Sequence, residues 1–267
     1  MKKSNKNPIN APILSGVRGQ RWDGLDALRA CAMLWMTAFH FSFDLSHAGV
    51  WPQNFYTDPV WTWQRTCILS LFLLCAGAGQ ALAQHQGQNW AQFWRRWAQI
   101  AGAASLVSAG SALMFPQSFI YFGVLHGIAV MLIVVRLTLH WRHGLWPAGL
   151  LAVASKFIAA YAISTGAMPL FLNEKAWSWL GWISVLPVTE DYVPVFPWLG
   201  VMWWGAAAMG WWLARSPERT QGVSPDHSLS ARCVRALAGL GRHSLSYYLV
   251  HQPVLLAVVA LLAWAVG

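Results

Sequence analysis

Seven apolar runs constrain this chain's fold more than any other feature. They lie near residues 25–45, 61–83, 97–114, 119–137, 145–163, 194–213 and 245–265. Each is about 18–23 residues long, and at ~1.5 Å per helical residue that length crosses a hydrocarbon core of about 30 Å. In lipid, backbone N–H and C=O groups must be satisfied within the segment, so such runs become helices. The expected fold is all-α: a polytopic integral membrane helical bundle of about seven transmembrane helices. Residues 176–186 are apolar and Trp-rich but too short to span. They predict a short external interfacial helix, because indole rings favour the headgroup boundary. Composition agrees. Only 10% of residues are charged and 57% are hydrophobic, whereas soluble domains carry about a quarter charged residues.

The net charge is +9, but the 18 basic residues are scattered between apolar runs rather than gathered in a patch, which argues against a nucleic-acid partner. Their placement reads instead as orientation. Lys2, Lys3, Lys6, Arg18 and Arg21 precede the first run. Arg95, Arg96, Arg136, Arg142, Arg215, Arg219, Arg232, Arg235 and Arg242 fall in alternate loops. The remaining loops hold Lys175 with Asp58, Glu174, Glu190 and Asp191. By the positive-inside rule the N-terminus is cytoplasmic and the C-terminus outside. The domain reading is a cytoplasmic basic segment over 1–24, then one transmembrane domain over 25–267 with a cytoplasmic linker at about 216–238. The first run is too long for a signal-peptide core and contains Asp26, Arg29 and His40, so it is read as retained. Cys31, Cys67, Cys75 and Cys233 lack the clustered spacing of a metal site, and none is expected.

Ionisable residues inside a span are costly and suggest function. The first run holds four: Asp26, Arg29, His40 and Asp44. At about 100° per residue they share one stripe, and His40 lies about 16 Å along the axis from Arg29. A cation near the cytoplasm suits a phosphate-rich ligand. A histidine deep in the membrane suits proton transfer, since imidazole titrates near neutrality. Asp44, one turn on, can accept a hydrogen bond from the ring and fix its tautomer. Asp26 can pair with Arg29, and the two also fit a snorkelling interfacial pair.

Four motifs carry a resemblance. Arg21-Trp22-Asp23-Gly24-Leu25-Asp26-Ala27-Leu28-Arg29 continues to Phe39-His40-Phe41-Ser42-Phe43-Asp44-Leu45. Phe119-Ile120-Tyr121-Phe122-Gly123-Val124-Leu125-His126 opens the fourth run, and Asp191-Tyr192-Val193-Pro194-Val195-Phe196-Pro197-Trp198-Leu199-Gly200 enters the sixth. Gly241-Arg242-His243-Ser244-Leu245 and Tyr248-Leu249-Val250-His251-Gln252-Pro253 mark the last. In this order they resemble bacterial proteins grouped with the heparan-alpha-glucosaminide N-acetyltransferase catalytic domain, within the wider transmembrane acyltransferase superfamily. Ala30 departs from the Gly expected after the Arg. The resemblance implies a multi-pass protein of the bacterial inner (cytoplasmic) membrane. It implies an acyltransferase that moves an acyl group, expected to be acetyl, from cytoplasmic acetyl-CoA to a hydroxyl or amine, usually on a sugar or glycan, at the outer face. His40 takes the place of the essential histidine and Arg29 that of its paired arginine.

Further residues are candidates on weaker grounds. His126 and Tyr121 are expected near His40's depth, lining one cavity, although His126 also fits a helix-packing role. Ser244, Tyr247 and His251 share a face of the last span, and Pro253 frees a backbone carbonyl beyond it. Arg95, Arg96 and Arg242 suit the phosphates of the donor, although topology alone accounts for them. Asp191 is placed at the acceptor mouth. Expected partners are acyl-CoA, the acceptor, membrane lipid and a second copy of the chain. The alternative reading is a proton-coupled small-molecule transporter using His40 and Asp44 as a relay, and a third is a non-catalytic scaffold. No internal repeat favours the transporter.

Overall fold

A computed structural model describes residues 22–215 and 228–266. Among these, regular structure is helical apart from one isolated bridge between Phe122 and Tyr192. The helices are α1 (Asp23–His47), α2 (Pro59–His85), α3 (Trp90–Met114), α4 (Val124–Thr138), α5 (Leu145–Ser164), the single turn α6 (Lys175–Ser178), α7 (Val195–Arg215), α8 (Leu229–Gly241) and α9 (Ser244–Val266). Among the described residues, three segments are long and apolar enough to cross a membrane: Pro59–His85, Val124–Ser164 and Ser244–Ala265. The second is not one rod. It breaks at Arg142, whose φ of 49° interrupts the 3-10 turn Leu139–Gly144 between α4 and α5. Helices α1, α3 and α7 have 25, 25 and 21 residues. They are long enough, but α1 carries acids, Arg29 and His40, α3 carries Arg95 and Arg96, and α7 is rich in Trp and Gly.

Local chemistry sets the starts. Asp58 caps α2 by accepting from the Val60 N–H at 2.7 Å, with Pro59 in the first turn. Asn89 and Gln92 form a reciprocal capping box at α3. Lipid tails are as apolar as leucine, so helix association rests on close packing and interhelical hydrogen bonds. Where α2 crosses α7, a Cβ on Gly77 would lie 1.9 Å from the Met202 carbonyl oxygen, and one on Gly205 would lie 2.2 Å from that of Leu74. Leu73, Met131 and Met202 are fully buried around this crossing. Trp97 Nε1 donates to the Ala129 carbonyl at 2.9 Å, and Trp203 Nε1 to Thr138 Oγ1 at 2.8 Å. The outward faces of α5 and α9 remain apolar and exposed, including Leu150, Leu151, Phe157, Val254 and Leu261, as a lipid-facing surface requires.

Three expectations are corrected. The fourth run does not become helix until Val124. Residues 118–123 run extended beside 189–193, through Glu190 N–H to the Ser118 carbonyl at 2.8 Å and Val193 N–H to that of Phe122 at 3.1 Å. The external interfacial helix is reduced to a 3-10 turn Leu170–Asn173 and the one turn of α6, because Gly181 turns the chain at φ 94°. The linker expected at about 216–238 is helical from Leu229. Ser228 caps α8, and Gly241 packs so closely on α1 that a Cβ there would lie 1.8 Å from the Asp26 carbonyl oxygen. The remainder of that linker, 216–227, and most of the basic segment 1–24 lie outside the described residues.

Candidate functional site

Helix α1 carries polar residues at both ends of a buried seam. At its first turns, Arg29 Nη1 donates to Asp26 Oδ1 at 2.7 Å and Nη2 to the Cys75 carbonyl of α2 at 3.3 Å. Asp26 is 5% exposed. Arg242 reaches this place from the end of α8, bonding Asp23 at 2.6 Å and lying 3.9 Å from Asp26. Gly79 makes room: a Cβ there would sit 2.3 Å from the Arg29 guanidinium. Two guanidinium groups and two carboxylates thus form a balanced network. It holds Arg29 in place with donors to spare, since a guanidinium has five N–H groups.

About 16 Å further along α1, a second cluster forms against α9. The rings of His40 and His251 lie 5.5 Å apart, centre to centre. His251 Nδ1 is held by the Tyr248 carbonyl at 2.7 Å, and its ring stacks on Tyr247 at 5.8 Å. Tyr247 in turn bonds Thr37 at 2.6 Å. Asp44 is buried, and its partner is Gln252, whose Nε2 donates to both carboxyl oxygens at 3.2 and 3.1 Å. The expected bond from the His40 ring to Asp44 is not among the contacts of the described residues. An amide from a neighbouring helix holds the carboxyl instead. His251 Nε2 and Gln252 Oε1 are buried without a hydrogen-bond partner among the described residues. Buried polar atoms of this kind are costly unless something completes them. Beside the cluster a cavity of about 260 Å³ opens, lined by Phe43, Ser46, His47, Gln53, Phe55 and Tyr56.

His126, Tyr121 and Asp191 form a third, separate group. Gly123 N–H donates to His126 Nδ1 at 3.3 Å, so Nε2 carries the proton toward Ser108 Oγ at 3.1 Å. Both ring nitrogens are therefore engaged in fastening the start of α4 to α3. Tyr121 bonds Ser178 at 2.5 Å and lies under Lys175, 4.8 Å from its ring centre. Asp191 Oδ2 accepts from the Val124 N–H at 2.8 Å, capping α4 from the opposite strap. Burial raises its carboxyl above the ordinary range, against the pull of that N–H, Arg65 and the Tyr192 N–H. No contact joins His126 or Tyr121 to His40 among the described residues. Their expected shared cavity is replaced by a strap that ties the end of α3 to the starts of α4 and α7.

Arg95 and Arg96 are exposed on the first turns of α3, apart from the Arg29 network, and Ser244 opens α9 without a hydrogen bond to a described residue. Residue reasoning singled out neither Thr37 nor Gln252, although Gln252 stood in the last motif. Its signal was a polar side chain inside an apolar run. No group of three or more potential metal ligands occurs among the described residues.

Residues 21–253 match the family model for the catalytic region of heparan-alpha-glucosaminide N-acetyltransferase. No curated protein and no solved structure matches the chain.

Proposed function

The chain belongs to the heparan-alpha-glucosaminide N-acetyltransferase catalytic family, and from that premise we propose that it transfers an acetyl group from cytoplasmic acetyl-CoA to a sugar hydroxyl or amine at the outer face of a bacterial inner membrane. The supporting observation is the seam on α1, with an arginine network at one end and a histidine pair with a held carboxyl at the other. On this reading seven helices (α1, α2, α3, α4, α5, α7 and α9) span the membrane with the N-terminus inside. The inner end then carries Arg29 and Arg242, and the outer end the His40 cluster.

Arg29, oriented by Asp26 and Asp23–Arg242, binds donor phosphate by charge-assisted hydrogen bonds. Arg95 and Arg96 draw the donor in by charge. The thioester reaches His40 along the seam, and the acceptor enters through the cavity beside Phe43 and Tyr56. His40 takes the acceptor's proton as its oxygen or nitrogen attacks the thioester carbonyl. The tetrahedral adduct then expels CoA thiolate, which recovers the proton. His251 keeps the imidazole of His40 in place, while Asp44, held by Gln252, stabilises the imidazolium that forms. With His251 Nδ1 donating to the Tyr248 carbonyl, the two buried atoms left over, His251 Nε2 and Gln252 Oε1, are both acceptors, suited to O–H or N–H groups of the acceptor substrate. Asp191, Tyr121 and His126 shape the mouth by locking the strap, and Ser244 begins the helix that carries the pair. This reading assigns no metal.

The test is acetyl-CoA binding to the purified protein in detergent, followed by transfer to a panel of sugar acceptors. Wild type should show saturable thermal stabilisation by acetyl-CoA, and Arg29→Ala should weaken it. His40→Ala should keep the fold and donor binding but lose about 10²–10⁴-fold in transfer, the usual worth of a general base. Folded protein that ignores millimolar donor, or His40→Ala with full transfer, would sink the proposal. Solute uptake tracking an imposed pH gradient would favour the transporter.

A further inference from the structure

A second cavity, of about 330 Å³, lies at the inner end of the bundle, between the last turn of α2, the turn joining α4 to α5, and the end of α7. His85, Arg142, His143 and Arg215 come to it from these three elements, and among the described residues no carboxylate lines it. Three other cations at this end have partners. Arg29 and Arg242 are paired with Asp26 and Asp23, and Arg136 is held by the Gln88 carbonyl over the rings of Trp90 and Phe93. The Arg142 side chain makes no hydrogen bond or ion pair with a described residue, and among the described residues the Arg215 guanidinium rests on the Trp211 ring, 4.0 Å from its centre. The turn keeps an arginine at φ 49°, a conformation that favours glycine.

The cavity has two chemical halves. Its rim is cationic, and its floor and wall are apolar: Leu145 and Leu213 are buried beneath it, and Trp146 and Trp211 flank it half exposed. A free phosphate would use the rim alone. A nucleotide on its way to His40 would need the α1 side of α2, where Cys75 and Gly79 face Arg29. The cavity lies on the α7 side instead, the side on which Gly77 meets Met202. Cationic pockets between transmembrane helices on the inner side, with indole rings at headgroup depth, suit a phosphodiester that carries acyl chains.

We propose that this cleft is a binding site for the headgroup of an anionic phospholipid, its phosphate on Arg142 and Arg215 and its upper acyl chain against Trp146 and Trp211. The site is distinct from the donor site and does not depend on acetyl transfer.

The experiment is lipid binding to the full chain in detergent by native mass spectrometry, with thermal unfolding in parallel. Phosphatidylglycerol and phosphatidylcholine of identical chains are the probes. Wild type should take up phosphatidylglycerol saturably and in preference to phosphatidylcholine. Arg142→Gln with Arg215→Gln should weaken that binding roughly tenfold or more and leave lipid-free unfolding unchanged. Arg142→Gly is the second variant: glycine relaxes the backbone at this position, so the fold should hold or gain stability while phosphatidylglycerol binding falls. Equal binding of the two lipids, or undiminished phosphatidylglycerol binding in both variants, would overturn the proposal. Displacement of the lipid by coenzyme A would overturn it too and give the cleft to the donor. Displacement by inorganic phosphate at equal concentration would overturn it as well, because the acyl chains would then contribute nothing.

Discussion

Gln252 decides what Asp44 can do. A buried carboxyl needs donors, and among the described residues both hydrogen bonds of the Asp44 side chain come from one amide nitrogen on α9. Gln252→Leu keeps the side chain's bulk and removes both. Hydrogen bonds to charged groups are worth about 1.5–3 kcal/mol, so a loss of stability of that order is expected in thermal unfolding. Transfer should fall beyond what the lost stability explains, because a freed Asp44 no longer has a fixed position one turn from His40. A variant that loses stability but keeps transfer per folded molecule would make Gln252 a packing residue only. The spacing of Arg29, His40 and Asp44 was legible because helical geometry is local: one stripe on one helix can be read by counting. Gln252 was not legible as a partner, because the bond spans 208 positions in the chain.

At the scale of elements, two glycines two residues apart on α2, and so on nearly opposite faces, do different work. A Cβ on Gly77 would meet backbone, the Met202 carbonyl at 1.9 Å, and backbone cannot yield without moving α7. A Cβ on Gly79 would meet the tip of the Arg29 side chain at 2.3 Å, which can swing aside. Gly77→Ala should therefore destabilise the fold by about 1–3 kcal/mol or more, as overpacking does. Gly79→Ala should unfold near the wild-type temperature but bind acetyl-CoA more weakly, since the guanidinium is pushed from its place beside Asp26. Calorimetry with both variants separates packing from donor binding. Helix α8 belongs to this scale as well. Its start was signalled by Ser228 ahead of a run of helix formers ending at Gly241, but its polar residues made it look like a linker. Packing on α1 made it an element.

For the whole molecule, the open quantity is how the bundle sits in lipid. Cys233 is exposed on α8, at the end of the molecule that carries Arg235 and Arg242. Under the positive-inside reading that end faces the cytoplasm. A membrane-impermeant maleimide should label Cys233 in inverted vesicles and not in intact spheroplasts, and Cys233→Ser should abolish that signal. Labelling from outside would reverse the topology and with it the direction of acetyl transfer. Cys31 and Cys67 are exposed as well, on α1 and α2; under the proposed seven-span topology they face lipid and should not react with a charged reagent.

Residue order alone was enough for the helical class, the apolar composition, the family and the α1 stripe. These follow from hydropathy, run length and residue spacing within about 25 positions. Tertiary structure alone decided which groups meet: Gln252 with Asp44, His251 with His40, and Gly79 beside Arg29. It also turned the expected start of the fourth span into a strap paired with residues 189–193, and it gathered Arg142 and Arg215 around one cleft. The reason is physical. Burial and helical period are properties of a segment, whereas a hydrogen bond between helices depends on crossing points that small residues such as Gly77 and Gly205 set far along the chain.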